Sequence, residues 1–220
     1  RLPGSIQEIP TPALLLDQTI LERNLTRMQD RANSFGVTLR PHIKTHKCIE
    51  IANHQLELGA RGISVSTLFE LEQFVAAGFN DITWTLPLIP DYIERIVELS
   101  AKAAIRIVID SLDMFERLEA IERVGSERFH VWLKVDCGYH RAGVNPQSVL
   151  AEQLVRSLSE SKNIVFDGIL THAGHSYEAR NRADILIVAE QERAVMVEFA
   201  ERMRNKGHNI PMVSLGSTPT

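Results

Sequence analysis

The stretch "GISVSTLFELEQFVAAGFNDITWTL", Gly62–Leu86, reads as two short strands around one helix. Its ends, "GISVS" (62–66) and "DITWTL" (81–86), are rich in Ile, Val and Thr and are bounded by Gly, Asp or Pro. The middle, "STLFELEQFVAAG", opens on Ser66 or Thr67 as a cap, carries Glu70 near the capping-box position and stops at Gly78. A strand, a helix and a second strand at this spacing make a crossover unit with parallel strands.

The same alternation extends in both directions. Strands are expected at "LRPHIKT" (39–45), "IRIVIDS" (105–111), "HVWLKVD" (130–136), "FDGILTH" (166–172) and "PMVSLG" (211–216). Most of these runs are almost continuously apolar, which suits a parallel sheet covered on both faces. Helical segments lie between and around them. "QTILERNLTRMQDRANSFG" puts Ile20, Leu21, Leu25 and Met28 near one face and ends at Gly36. "LDMFERLEAIERVG" and "ADILIVAEQERAVMVEFAERMRNKG" stop in the same way at Gly125 and Gly207. Repeated β-then-α units leave a doubly wound sheet or a (β/α)8 barrel. No G-x-G-x-x-G follows the first strand, so an α/β fold of the (β/α)8, TIM-barrel type is the expectation. With no eighth unit after "SLGSTPT", residues 1–220 are expected to be a fragment of one barrel domain.

Composition narrows the function. The chain has 220 residues, 44% hydrophobic and 24% charged, with a formal net charge of −4 and a sequence pI near 6.1. That charge, with Lys and Arg scattered, speaks against a nucleic-acid surface. No apolar run reaches the roughly 18 residues of a membrane span, and "RLPGSIQEIPTP" lacks the apolar core of a signal peptide. Cys48 and Cys137 make no disulfide framework and read as reduced thiols in a cytoplasmic protein.

In a barrel, chemistry gathers at the C-terminal ends of the strands. Here those ends offer His42, Lys44, Thr45 and His46, then Ser64, Ser66, Thr83, Thr85, Asp110 and Asp136 with Arg141. Later ends add Thr171, His172, His175, Tyr177, Ser214, Gly216, Ser217 and Thr218. Strand alternation places Arg40, His42, Lys44 and His46 on one face and Lys47 on the other. If that face lines the interior, desolvation and neighbouring cations favour a nucleophilic Lys44 amine; a basic strand end facing water is the alternative. Arg141 returns over the rim after Gly138, either to bind an anionic oxygen or to pair with Asp136. His172 suits a ring contact or a core hydrogen bond, and His175 is left open. "SLGSTPT" is a weak phosphate-loop signal that its position strengthens.

Taken together, "TPALLLD", "RPHIKTHK", "VDCGYHRAGV", "DGILTHAGHSY" and "SLGSTPT" resemble, in order, the fold-type III pyridoxal-phosphate (PLP) enzymes, the group that includes alanine racemase. Within it they are most similar to the D-threonine aldolase and D-serine dehydratase branch. The resemblance implies a PLP-dependent lyase acting on β-hydroxy D-amino acids. Lys44 would form the Schiff base, Arg141 would contact the ring's phenolic oxygen, and His172 would lie beside the ring. Gly216, Ser217 and Thr218 would hold the phosphate, Tyr177 would line the substrate side, and His42 and Arg40 would complete the pocket. It also implies a divalent metal (Zn, Mn or Mg) held by a smaller C-terminal β-domain, with no metal ligand assignable here, and a homodimer. A racemase of the same fold, a non-catalytic PLP-binding protein and a metal-only hydrolase using His42, His46, His172 and His175 are the rival readings.

Overall fold

The computed structural model describes residues 4–121 and 128–220. Its elements follow the expected alternation. Helix α1 (Gln18–Ser34) and α2 (Ile49–Glu57) come first, and β1 (Ile63–Val65), α3 (Leu68–Ala76) and β2 (Asp81–Pro87) follow. Next come α4 (Ile93–Ser100), β3 (Ala104–Ile109), α5 (Leu112–Glu119), β4 (Phe129–Lys134) and α6 (Val149–Glu160). Strand β5 (Ile164–Leu170), the long α7 (Arg182–Asn205) and β6 (Met212–Ser214) complete the chain. The strands form one parallel sheet in sequential order, β1 to β6, a curled half-barrel with the helices outside. Helices α2, α4 and α6 fall in stretches for which the sequence reading had named no helix. The expected stop at Gly125 lies outside the described residues.

The helix starts are built as their sequences dictate. Thr67 caps α3 with a complete capping box, its hydroxyl accepting Glu70 N–H while the Glu70 carboxylate accepts Thr67 N–H. Ser111, Ser148 and Asn181 cap α5, α6 and α7 in turn. Gly36, Gly78 and Gly207 take the left-handed conformation just past α1, α3 and α7.

Two expectations are corrected. The first concerns α1, which buries Gln29 and Ala32 and leaves Ile20 and Met28 nearly half exposed. Its inner face meets Gly59, just beyond α2, where a Cβ would come within 3.3 Å of the Gln29 amide. The second concerns residues 39–45, which form no strand. Leu39 and Pro41 carbonyls accept Arg61 and Ser64 N–H at 2.8 Å, so the segment does run beside β1. Proline supplies no N–H to extend the ladder, and after one bridge, His42 to Ser64, the chain tightens into a 3₁₀ turn at Ile43–Thr45. Six strands are therefore described, where seven had been expected.

The main core is a cluster of Ile, Val, Leu and Phe between sheet and helices, with Leu71, Ile107, Leu133, Leu154 and Phe199 fully inside, and Val108, Trp132 and Leu170 form a second, small cluster. Below it, at the N-terminal ends of the strands, charges neutralise one another. Arg40 grips Asp81 through two hydrogen bonds of 2.8 and 3.0 Å. Arg106 also binds Asp81 and lies 3.1 Å from Asp167, which in turn meets His130 Nδ1 at 3.0 Å. Arg40, expected beside Lys44, belongs to this opposite end.

Seating of the last strand depends on Gly168. It sits in β5 at φ +136°, opposite Met212, and a Cβ there would collide with the Met212 carbonyl. A Gly168→Ala substitution combines backbone strain with overpacking, and should cost about 3 kcal/mol or more in urea unfolding. Unchanged stability of that variant would contradict the close approach of β5 and β6.

Candidate active site

Ile43, fully buried, anchors the 3₁₀ turn that carries Lys44 to the rim. His42 sets the turn from inside. Its Nδ1 accepts the Lys44 N–H at 3.3 Å, so the proton of the neutral ring sits on Nε2. Nε2 lies 3.1 Å from Thr85 Oγ1 and 3.0 Å from Ser66 Oγ. The Thr85 hydroxyl donates to Val65 O, leaving its oxygen to accept from His42. Burial, reinforced by the Lys44 ammonium, lowers the His42 pKa to about 4. The imidazole is neutral at pH 7.

The two candidate lysines separate, though by a different route from strand alternation. Both are exposed. Lys47 has φ +50° and its ammonium reaches the buried Glu70 carboxylate at 3.2 Å. Lys44 has no carboxylate partner among the described residues, and its charge acts on both His42 and His172. His46, which alternation had placed beside Lys44, instead accepts Cys48 N–H at 3.1 Å.

The desolvated lysine is Lys134, at the end of β4 and only 5% exposed. Burial first, and then Arg141, lowers its pKa to about 8. A lysine inside the apolar run "HVWLKVD" was the available signal, because a strand covered on both faces leaves no route to water except the rim. Beyond it Asp136 holds the loop, accepting the Gly138 and His140 N–H groups at 2.9 and 3.0 Å and meeting His140 Nδ1 at 2.7 Å. Asp136 is thus engaged, and Arg141 has no carboxylate partner among the described residues. Its guanidinium lies 4.9 Å from the centre of the Tyr139 ring, which stacks on His175 at 5.9 Å. Tyr139 was not singled out in the sequence; Gly174, whose Cβ would strike its ring, leaves room for it.

At the end of β5, Thr171 ties two neighbours together, donating its hydroxyl to Val135 O at 2.7 Å and its N–H to Ser214 O at 3.0 Å. His172 follows and donates Nδ1–H to Gly216 O at 3.1 Å, which leaves Nε2 as an acceptor. Burial lowers its pKa, and Lys134, Lys44 and Arg141 push the same way. Tyr177 is mostly exposed, its ring 6.3 Å from that of His172. In the last loop Gly216 has φ +132°, Ser217 meets Ser176 Oγ at 2.7 Å, and Thr218 is exposed. His42, Lys44, Arg141 and His172 are therefore brought to one rim together with Lys134. No group of three or more His, Cys, Asp or Glu able to hold a metal occurs among the described residues. Cys48 and Cys137 are both free.

The family described as "Alanine racemase, N-terminal domain" matches residues 16–220. The chain belongs to this family. It is 39% identical to the D-threo-3-hydroxyaspartate dehydratase of Delftia sp. (strain HT23) over all of its own length and 58% of that protein's. The solved structure of that dehydratase superposes with a TM-score of 0.91, covering 97% of this chain and 56% of that one. A D-serine dehydratase of Dictyostelium discoideum is 34% identical over 97% of this chain and 57% of its own length. The D-threonine aldolase of Filomicrobium marinum is 27% identical with a TM-score of 0.91, over 97% of this chain and 58% of that one. The chain thus spans little more than half the length of the relatives it matches. Among the described residues no helix is long and apolar enough to cross a membrane.

The family fold implies PLP, and the rim fits it. Two histidines held neutral, an arginine without a carboxylate partner, two lysines and a glycine-hydroxyl loop together suit an anionic aromatic aldehyde. The His42 assignment has a direct check. Its folded pKa of about 4 lies below the ordinary 6.5, so the unfolded chain holds the proton between those values. The stability this group contributes is present above pH 6.5 and lost as pH falls toward 4. In a histidine NMR titration the His42 ring should stay neutral down to about pH 5, and a midpoint near 6.5 would overturn its buried, lysine-flanked placement.

Proposed function

We propose that this chain is the cofactor-binding barrel of a PLP-dependent lyase acting on β-hydroxy D-amino acids. The observation that carries the reading is the meeting of Lys44, Lys134, Arg141 and a neutral His172 at one rim. The dehydratase and aldolase names of its relatives supply the substrate class.

Bound there, PLP would supply a ring that withdraws electrons from the substrate's Cα. The remaining work belongs to this chain. Lys44 Nζ would hold the cofactor by its carbonyl carbon until the substrate's amine displaces it, and the freed amine would then take or return the proton at Cα. Arg141, which keeps its proton, would donate to the ring's phenolic oxygen. His172 has committed Nδ1–H to Gly216 O, so it would offer its ring face and Nε2 without adding charge. Gly216, Ser217 and Thr218 would hold the phosphate end. Tyr177, being exposed, would line the substrate side. A divalent metal and a second copy of the chain complete the proposal, with the metal's ligands outside these residues.

Borohydride reduction of the PLP-loaded protein, followed by peptide mapping, tests the central residue. The pyridoxyl group should appear on Lys44, and a Lys44→Ala variant should lose it together with at least about 10³-fold of its turnover. Labelling of Lys134 or Lys47 instead would overturn the assignment. Incubation with D-serine and D-threonine, scoring keto acid and ammonia against glycine and aldehyde, separates dehydratase from aldolase. Product of inverted chirality and no cleavage would point to a racemase.

A further inference from the structure

Glu192 is the most completely buried carboxylate described, 1% exposed, on the inner face of α7. Its Oε1 accepts two backbone donors, Ala173 N–H at 2.9 Å and Gly216 N–H at 3.1 Å. Its Oε2 accepts the Thr220 hydroxyl at 3.2 Å. Thr220 Oγ1 also accepts Ser217 N–H at 3.0 Å and meets Ser217 Oγ at 2.8 Å, which in turn meets Ser176 Oγ at 2.7 Å. One side chain therefore fixes the segment after β5, the loop after β6 and the last residue of the chain. It touches none of the rim cations directly; its charge favours the ammonium form of Lys134 and, more weakly than burial does, the protonated thiol of Cys137.

We infer that Glu192 is a positioning residue for the phosphate end of the site, setting the spacing of the His172 and Gly216–Thr218 segments by geometry. The inference rests on the PLP reading above. A carboxylate would repel a phosphate dianion if it faced one. Here it occupies the rear of the loop, taking the Gly216 N–H and the Thr220 hydroxyl, so that Thr220 in turn holds Ser217 and the exposed Thr218 is left on the outer side. A buried side chain so placed contributes through the shape it imposes. Glutamine keeps that shape, because its amide oxygen accepts both backbone N–H groups and its nitrogen donates to Thr220 Oγ1. Aspartate keeps the charge but is one methylene too short to bridge Ala173 and Gly216.

The test compares PLP with pyridoxal, which lacks only the phosphate, by measuring both dissociation constants for the full chain. Pyridoxal also closes to an internal hemiacetal in water, equally for every variant, so the change in the ratio from wild type to variant reports the phosphate end. Glu192→Gln should keep the wild-type ratio within about threefold, while Glu192→Asp should lose about tenfold or more of it with pyridoxal binding unchanged. A wild-type ratio in Glu192→Asp, an equal loss for both ligands, or a collapsed ratio in Glu192→Gln would each overturn the inference. If Glu192→Asp does not fold, as judged by circular dichroism, Glu192→Ala is read in its place: it should lose the ratio as well, and a wild-type ratio in it would overturn the inference. A wild-type protein that binds PLP no better than pyridoxal would instead remove the phosphate site itself, a different failure.

Discussion

Positive charge is concentrated at the rim, and the carboxylates around it are already engaged. Lys44, Lys134 and Arg141 converge with two imidazoles that burial and these same cations keep neutral. Asp136 caps its loop and Asp110 accepts Gly143 N–H at 2.9 Å. Glu70 holds two backbone N–H groups and Lys47, and Glu192 holds two more. Each acid shapes backbone, so the cations are left to face the rim. An anionic ligand is the natural partner of that arrangement, and a pyridine aldehyde bearing a phosphate supplies it.

The two ends of the half-barrel make the point by contrast. At the N-terminal ends of the strands, Arg40 and Arg106 meet Asp81 and Asp167 in a closed network that His130 joins. That end answers its own charges and offers a ligand little. The C-terminal end carries similar residue types but withholds the pairing. Charge is neutralised at one end of the parallel sheet and left unpaired at the other, the C-terminal end where barrel sites gather.

Much of this architecture was legible in the sequence. Strand β2, helix α3 with its Thr67–Glu70 box, and the glycine stops at 36, 78 and 207 follow from local chemistry that tertiary contacts do not override. Arg141 and His172 were found by their place after strands. What failed was the alternation argument for residues 39–47, because Pro41 ends the ladder and a 3₁₀ turn has no two-residue period. It sent Arg40 to the wrong end and credited Lys44 with a burial that belongs to Lys134. Glu192 and Tyr139 were not legible. Glu192 acts through contacts across about twenty or more residues of chain, and Tyr139, although Arg141 lies close by in sequence, is placed by His175 and by the room that Gly174 leaves for its ring.

The distinction between Lys44 and Lys134 is the functional consequence of that correction. A lysine enclosed at the end of β4 beside Arg141 is well placed to hold a shape and a field, yet its enclosure restricts approach by a bulky carbonyl. A lysine on an exposed turn is open to approach but must be aimed. Here the aim comes from beneath: Ile43 seats the turn, and the neutral His42 ring receives the Lys44 N–H. Under the proposed reading, reactivity and burial would be divided between two residues, Lys44 presenting the amine and Lys134 setting the electrostatics around it.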